Sequence, residues 1–326
     1  TMSIRDPFLT DPNSISTACA EGMACVYPEL VQTLPGSFNG RTVLRRPADP
    51  DRVNIIAVAG GAGNPFSQSF AFSPDLADIA INGSLYAAPS AYDCFEAAKY
   101  VNSSKGYLML FNNFMGDVLN CDMAIELMAL EGLQAKMCPF HDDCLSTHRD
   151  EDRRDRTGLI GVLFGVKAAS ACAKTGASLE EVAALAEHIN DRTSSVLITM
   201  DFENEILHFG EGISGEPPAL SFKNEFSIES CAKHAYDILI EDLKPRSDER
   251  IHVLINRTSA GKFEDVYSLA KSIHDYAERR IPISRMSAGY FMHTTRSYGL
   301  SVTIFCSDDR TEPYLQKRCF TDAFIF

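Results

Sequence analysis

The chain is short of positive charge. Thirty Lys and Arg stand against 44 Asp and Glu, a net charge of −14. Sequence-independent nucleic-acid binding, which needs clustered basic side chains to neutralise phosphates, is therefore not expected. The excess of acid is what a surface kept in solution requires. Long apolar runs are missing as well: none approaches the roughly 18 residues of a membrane span. The stretch Ser3-Ile4-Arg5-Asp6-Pro7 lacks the basic-then-apolar order of a secretion signal. A cytoplasmic protein with no membrane partner is expected. Framework cysteine spacing is absent too. The ten cysteines, at 19, 25, 94, 121, 138, 144, 172, 231, 306 and 319, are scattered, and Cys172 and Cys306 sit inside apolar runs. Reduced, buried thiols are the economical expectation. Neither a P-loop nor a dinucleotide fingerprint occurs.

What is present is the pattern of an α/β protein. With 326 residues, 45% of them apolar and 23% charged, the chain exceeds what one core usually organises, so two domains are expected. Runs rich in Val, Ile, Leu and Phe at 53–58, 107–111, 195–200, 251–256 and 301–306 read as strands. Between them lie segments of helical period at 118–131, 159–173, 178–190 and 262–278. Ser178 and Glu181 form a capping box, and the segment 159–173 is apolar nearly all round, as a buried helix is. The alternation predicts two α/β domains with central, largely parallel sheets, residues 1–190 and 191–326. The charged run from His148 to Arg156 reads as a solvated loop.

Three loops offer chemistry, since open α/β sheets bind ligands outside the carboxyl ends of their strands. Ala59-Gly60-Gly61-Ala62-Gly63-Asn64-Pro65 follows the first strand run, and its glycines expose backbone N–H groups to a ligand oxygen. Taken alone, it is equally a tight turn. Asn112-Asn113-Phe114-Met115-Gly116-Asp117 leads from a strand into a helix. Asp117 is placed either to cap that helix or to accept a hydroxyl proton during phosphoryl transfer. Gly210-Glu211-Gly212-Ile213-Ser214-Gly215-Glu216-Pro217 is a tightly shaped loop, and not a nucleophile elbow, because Ser214 is not set in Gly-x-Ser-x-Gly. Cys138, His141 and Cys144 have metal-like spacing but no fourth ligand, so no metal is expected. His208 and His293 are expected to be structural.

These loops, in this order, resemble the substrate-binding (K) subunits of dihydroxyacetone kinases. Residues 57–64 are similar to that family's Gly-rich loop, with Gly61-Ala62-Gly63-Asn64 in place of Gly-Ser-Gly-His. Asn113, Gly116, Asp117, Leu119 and Asn120 match its Asn-Tyr-Thr-Gly-Asp-Ile-Leu-Asn segment, and 156–197 resembles its long helical pair. Residues 209–217 match its Gly-Ile-His-Gly-Glu-Pro substrate loop, and weaker similarity runs through 254–256 and Gly299, Ser301 and Thr303. The resemblance covers roughly residues 20–310.

It departs in the pocket. The family's histidine that bonds covalently to the ketose is Ser214 here, a second histidine is Asn64, and a pocket lysine is Asn112. A serine hydroxyl is a poor spontaneous nucleophile toward a ketone, whereas Asn64 and Asn112 each donate and accept. The resemblance thus implies a small ketose or polyol held without a covalent bond. Asp117 would be the base, and Gly60, Gly61, Asn64, Asn112 and Ser214 would be substrate contacts. No cofactor is expected on this chain; ATP/ADP with Mg would sit on a separate L-type kinase subunit. A homodimer is implied by the resemblance alone. The alternative is a catalytically inactive, ligand-sensing co-activator that signals to a regulatory protein.

Overall fold

Two six-stranded sheets, each flanked by helices, organise the chain in the computed structural model, which describes residues 12–34, 41–45, 49–61, 75–85, 87–147, 151–258, 261–292 and 299–319. In chain order the elements are α1 (Pro12–Val26), β1 (Val31–Leu34), β2 (Arg41–Arg45), β3 (Asn54–Gly61), β4 (Ile79–Leu85), α2 (Ala91–Val101), β5 (Tyr107–Asn112), α3 (Met115–Leu130) and β6 (Ala135–Phe140). Then follow α4 (Val162–Ala173), α5 (Leu179–Asp191), β7 (Thr193–Asp201), β8 (Ile206–Phe209), β9 (Leu220–Lys223), α6 (Ile228–Leu243), β10 (Arg250–Arg257), α7 (Phe263–Ala277), β11 (Ile283–Gly289) and β12 (Gly299–Ser307).

The first sheet runs β1-β2-β4-β3-β5-β6, with β4, β3 and β5 mutually parallel and β1 and β2 antiparallel at the edge. Its central strands are apolar on both faces because both are covered. Ile56, Val58, Met109 and Phe111 join Cys94, Phe95, Cys121 and Met128 of α2 and α3 in one core. The alternate residues Ile55, Ala57, Leu108 and Leu110 are equally buried and face the other way; α4 packs on β3 and β5. That helix is apolar nearly all round, as expected, and it even buries Lys167, whose Nζ donates to the Lys317 carbonyl.

The second sheet runs β11-β10-β12-β7-β8-β9. Parallel pairing is confined there to β10–β11; the remaining neighbours are antiparallel. Connectivity is the reason. The short turn from Asp201 to Ile206 makes a hairpin of β7 and β8, and no crossover helix intervenes. Val196, Ile198, Ile255, Val302 and Ile304 form a core with Leu239 of α6 and Leu269 and Ile273 of α7.

The chain divides into two compact units, one taking residues up to Pro139, Val162–His188 and a segment from Tyr314, the other Phe140–Gly161 and Ile189–Pro313. The junction at 188/189 lies near the expected boundary after residue 190, but a single cut does not describe the division. Phe140–Gly161 belongs with the second sheet because Asp142 pins it there. This fully buried carboxylate accepts from the Leu159 and Gly161 amides, each at 2.9 Å, and from the Ser195 hydroxyl of β7. The charged run 148–156 is likewise more than a solvated loop over the residues described. Arg153 and Arg156 both pair with Asp242 of α6, at 2.9 and 2.8 Å. Burial opposes that carboxylate's charge, yet the Arg156 hydrogen bond and both guanidinium charges hold its pKa below the usual value. Eight of the ten cysteines are buried and all are free thiols.

Asp142→Ala leaves two buried amides without their acceptor and the buried Ser195 hydroxyl with Thr303 Oγ1 as its remaining partner. We expect a loss of about 3–5 kcal/mol in unfolding free energy, measured by urea titration. A change under about 1 kcal/mol would show that 140–161 is not held by this residue.

Candidate functional site

In the first unit the carboxyl ends of β4, β3 and β5 lie side by side, and the 87–90 connection crosses the first two. Gly60 at the end of β3 and Gly83 in β4 make this possible. A Cβ on either would collide with the Ala87 carbonyl, so only glycine admits the backbone at this distance. Ala87 N–H donates to the Ser84 carbonyl at 3.0 Å, closing the turn. Ser90 then caps α2 in a capping box with Asp93. The connection also meets the start of α3. Asn120 Nδ2 donates to the Pro89 carbonyl at 2.9 Å, and a Cβ on Gly116 would lie 3.5 Å from that of Ala88.

Asp117 sits in this corner, and its structure settles the capping question. The cap of α3 is Phe114, in extended conformation with φ −117° and ψ 140° and no side-chain hydrogen bond. The helix therefore starts two residues before Asp117, directly after β5, and Asp117 occupies its third position. The capping role is overturned. The residue is only 7% exposed, and its Oδ1 has no hydrogen-bond partner. Burial pushes the pKa up to about 7, against the single favourable contribution of its own backbone N–H. One turn on, the buried Cys121 thiol is hydrogen-bonded to the Cys94 thiol of α2 and, through that hydrogen bond and burial, is pushed well above the ordinary thiol range. An acid poised near neutrality in a dry corner at strand ends is suited to take a proton from a hydroxyl.

Of the other expected contacts in this unit, Gly60 and Gly61 are the last residues of β3 and Asn112 ends β5, half-buried, so all three stand at the same edge of the sheet. Asn64 lies outside the described residues, as do 62–65 and His293. The connection at 87–90, with Gly83 beneath it, escaped the sequence reading. The signals were there: the Ile79-Ala80-Ile81 run before Asn82-Gly83-Ser84, and a Ser90-to-Asp93 capping box.

Ser214 belongs to the second unit. Its loop is built by glycine where expected: Gly210 and Gly215 have φ of +73° and +96°. The backbone folds on itself through Gly215 N–H to the Gly212 carbonyl, 3.0 Å, and Gly212 N–H to the Glu216 carbonyl, 3.3 Å. Glu216 Oε2 accepts from the Ser214 N–H at 3.1 Å, and a Cβ on Gly212 would collide with the Glu216 carboxylate. Ser214 is half-buried above the buried Ile213. Leu145 packs against Gly210. Beside it Asp143 is fully buried and pushed up to about 7, by burial first and the Asp142 charge second. His208 Nδ1 bonds Ser221 Oγ at 2.8 Å across the β8–β9 pair, a structural role. Among the described residues no three His, Cys, Asp or Glu are placed to hold a metal ion, and no helix is long and apolar enough to cross a membrane.

The raised pKa of Asp117 has a definite sign for stability. The folded state holds its proton up to about 7, the unfolded chain only to about 3.8, so stability falls as pH rises between those values. Asp117→Asn should therefore match wild type at pH 4 and exceed it at pH 8, by on the order of 3 kcal/mol. Asp143 titrates in the same window and cancels in the comparison. Urea titrations of both proteins at the two pH values measure this; a variant less stable at pH 8 would return Asp117 to a capping role.

Comparison with known proteins agrees with the resemblance read from the loops. The Dak1 domain matches residues 21–323. Over 299 residues the chain is 30% identical to the dihydroxyacetone-binding subunit DhaK of PTS-dependent dihydroxyacetone kinase 2 from Listeria innocua, covering 86% of this chain and 88% of that protein. It is 25% identical to L-erythrulose 1-kinase from Mycolicibacterium smegmatis, covering 93% of this chain and 55% of the kinase; it spans about half the length of that relative. A structure solved in work on regulation of the dha operon of Lactococcus lactis superposes with a TM-score of 0.83 at 22% identity, covering 93% of each chain. The dihydroxyacetone kinase operon co-activator Dha-DhaQ does so with 0.80 at 21%, covering 92% of this chain and 95% of its own. These two likenesses bear on the fold. From the corner at Asp117 to the glycine-shaped loop around Ser214, the chain belongs to the Dak1 domain family, with the dihydroxyacetone-binding DhaK subunits among its relatives.

Proposed function

We propose that the chain binds a small ketose or polyol reversibly and presents its hydroxyl for phosphorylation by a separate, nucleotide-carrying L-type subunit. The observation that carries this reading is Asp117, a buried acid with an unpartnered oxygen and a pKa of about 7. In its ionised form it takes the hydroxyl proton as the phosphoryl group arrives. The backbone at Gly60 and Gly61 and the Asn112 amide supply hydrogen bonds to the ligand's oxygens, and Asn64 is assigned the same task. Ser214 stands where the family has its covalent histidine, so the ligand is held by hydrogen bonds and leaves freely. The relatives' names support a substrate among the trioses and tetroses: dihydroxyacetone for one, L-erythrulose for another. ATP or ADP with its magnesium belongs to the partner, and the chain works as a homodimer in the cytoplasm.

A second reading, a ligand-sensing co-activator without turnover, draws on the resemblance: Ser214 stands at the position matched to the family's ketose-binding histidine.

One experiment separates the two. The chain is combined with an L-type subunit, ATP and magnesium, and offered dihydroxyacetone, D- and L-erythrulose and the corresponding acids. Phosphorylation of at least one is expected, with a rate that rises with pH through about 7 as Asp117 loses its proton. Asp117→Asn should lower kcat by roughly 10²–10⁴-fold and leave ligand affinity, read by calorimetry, within about threefold. No turnover on any substrate, from a subunit pair shown to be competent with its own partner, rejects the kinase reading and leaves the sensor.

A further inference from the structure

Helix α3 is apolar on two opposite sides. At 100° per residue, Asp117, Cys121, Ala124 and Met128 fall on one side and are buried in the first unit's core or its corner. Met115, Leu119, Met123 and Leu130 fall on the other, and they are 72%, 60%, 55% and 84% exposed. A surface helix ordinarily sets polar residues on its outer face, and a helix apolar all round is ordinarily covered. Single exposed leucines are common, but an aligned row at i, i+4 and i+8 of large side chains is a patch. The row begins with Met115, two residues before Asp117, so it starts at the corner where the candidate base lies. Two acids are exposed with it: Asp122 along one flank, and Glu126 on the face itself, between Met123 and Leu130.

We propose that this outer face of α3 is a docking surface for a different protein, one with an apolar centre and a basic rim. The assignment of that protein as the phosphoryl donor rests on the function proposed above. Charge decides against a second copy of this chain. A self-complementary contact sets the same patch against itself, which would bring Asp122 and Glu126 of both copies to one interface in a chain already at −14. A partner with Lys or Arg opposite these acids meets no such repulsion and is steered toward the face. The two methionines suit such a contact, because their unbranched side chains adapt to the surface they meet. A protein seated on this row reaches the first turn of α3, which is where a donor must bring its phosphate.

The test uses the full chain and, as probe, the nucleotide-carrying subunit of the Listeria innocua kinase whose dihydroxyacetone-binding subunit is the 30% identical relative. Leu119→Asp and Met123→Asp should each raise the Kd for that subunit at least tenfold. Dihydroxyacetone affinity of the chain alone and its melting temperature should not move. Leu119→Gln, a milder change at the same exposed site, guards against a misfolded variant and should weaken the complex in the same direction. Reversing these two charges with Asp122→Lys and Glu126→Lys should weaken binding at low salt, with the difference shrinking as salt rises. If wild type transfers phosphate while Leu119→Asp keeps its partner affinity, the docking face is refuted and the kinase reading stands. If Leu119→Asp loses the partner but wild type phosphorylates nothing, the face stands and the kinase reading falls. A dimer of the chain that Leu119→Asp splits, with no effect on the subunit, refutes the proposed partner, as does the absence of any complex with wild type.

Discussion

The structure of the first unit depends on one close approach of backbone to backbone. The segment 87–90 lies on Gly60 and Gly83 at a distance that no side chain at either position permits. From this contact the rest follows in order. The segment closes over two adjacent parallel strand ends, Pro89 takes the Asn120 amide, and the first turn of α3 is drawn under the same cover. Asp117 is in that turn, and its burial is what raises its pKa. Two glycines without side chains thus set the protonation state of an acid more than thirty residues further along the chain.

Two buried aspartates show how partners divide structural from chemical roles. Asp142 receives two backbone amides that close 140–161 on itself and a hydroxyl of β7 that ties it to its unit. Asp117 is helped only by its own amide, and one oxygen is left unmatched. Buried charge without compensation is destabilising, and a fold retains such a group where it serves something other than stability. The residue type is the same; the supply of donors separates the anchor from the candidate base.

The strands legible in the sequence were the long apolar ones: β3, β5, β7, β10 and β12 each lie within or overlap a run of Val, Ile, Leu and Phe. The short strands β1, β2, β8 and β9, at or next to a sheet edge, span only four or five residues each, too few to stand out as apolar runs. Strand direction in the second sheet was also hidden, because helical segments in the sequence suggested crossovers that β7, β8 and β9 do not use. At the site, the glycines and Asp117 were visible as a motif, but the motif allowed two roles for Asp117. Deciding between them needed the starting residue of α3, and Phe114 has no capping side chain to announce it. Gly83 and 87–90 were missed for a different reason: a close contact between distant backbones leaves no pattern of polar residues. Asp142 went unread because its donors come from residues 17, 19 and 53 positions away.

The buried lysine of α4 carries a consequence for the order in which this protein is made. Lys167 lies within the first unit, and the carbonyl that receives its ammonium group belongs to Lys317, 150 residues later. Lys317 and Lys174 also converge on Asp75, at 3.0 and 2.8 Å. A ribosome delivers Asp75, Lys167 and Lys174 long before Lys317. Until then the Lys317 carbonyl is not there for the α4 amine to donate to. The first sheet is synthesised early, but the polar contacts that tie α4 to Lys317 are completed only when the last part of the chain emerges.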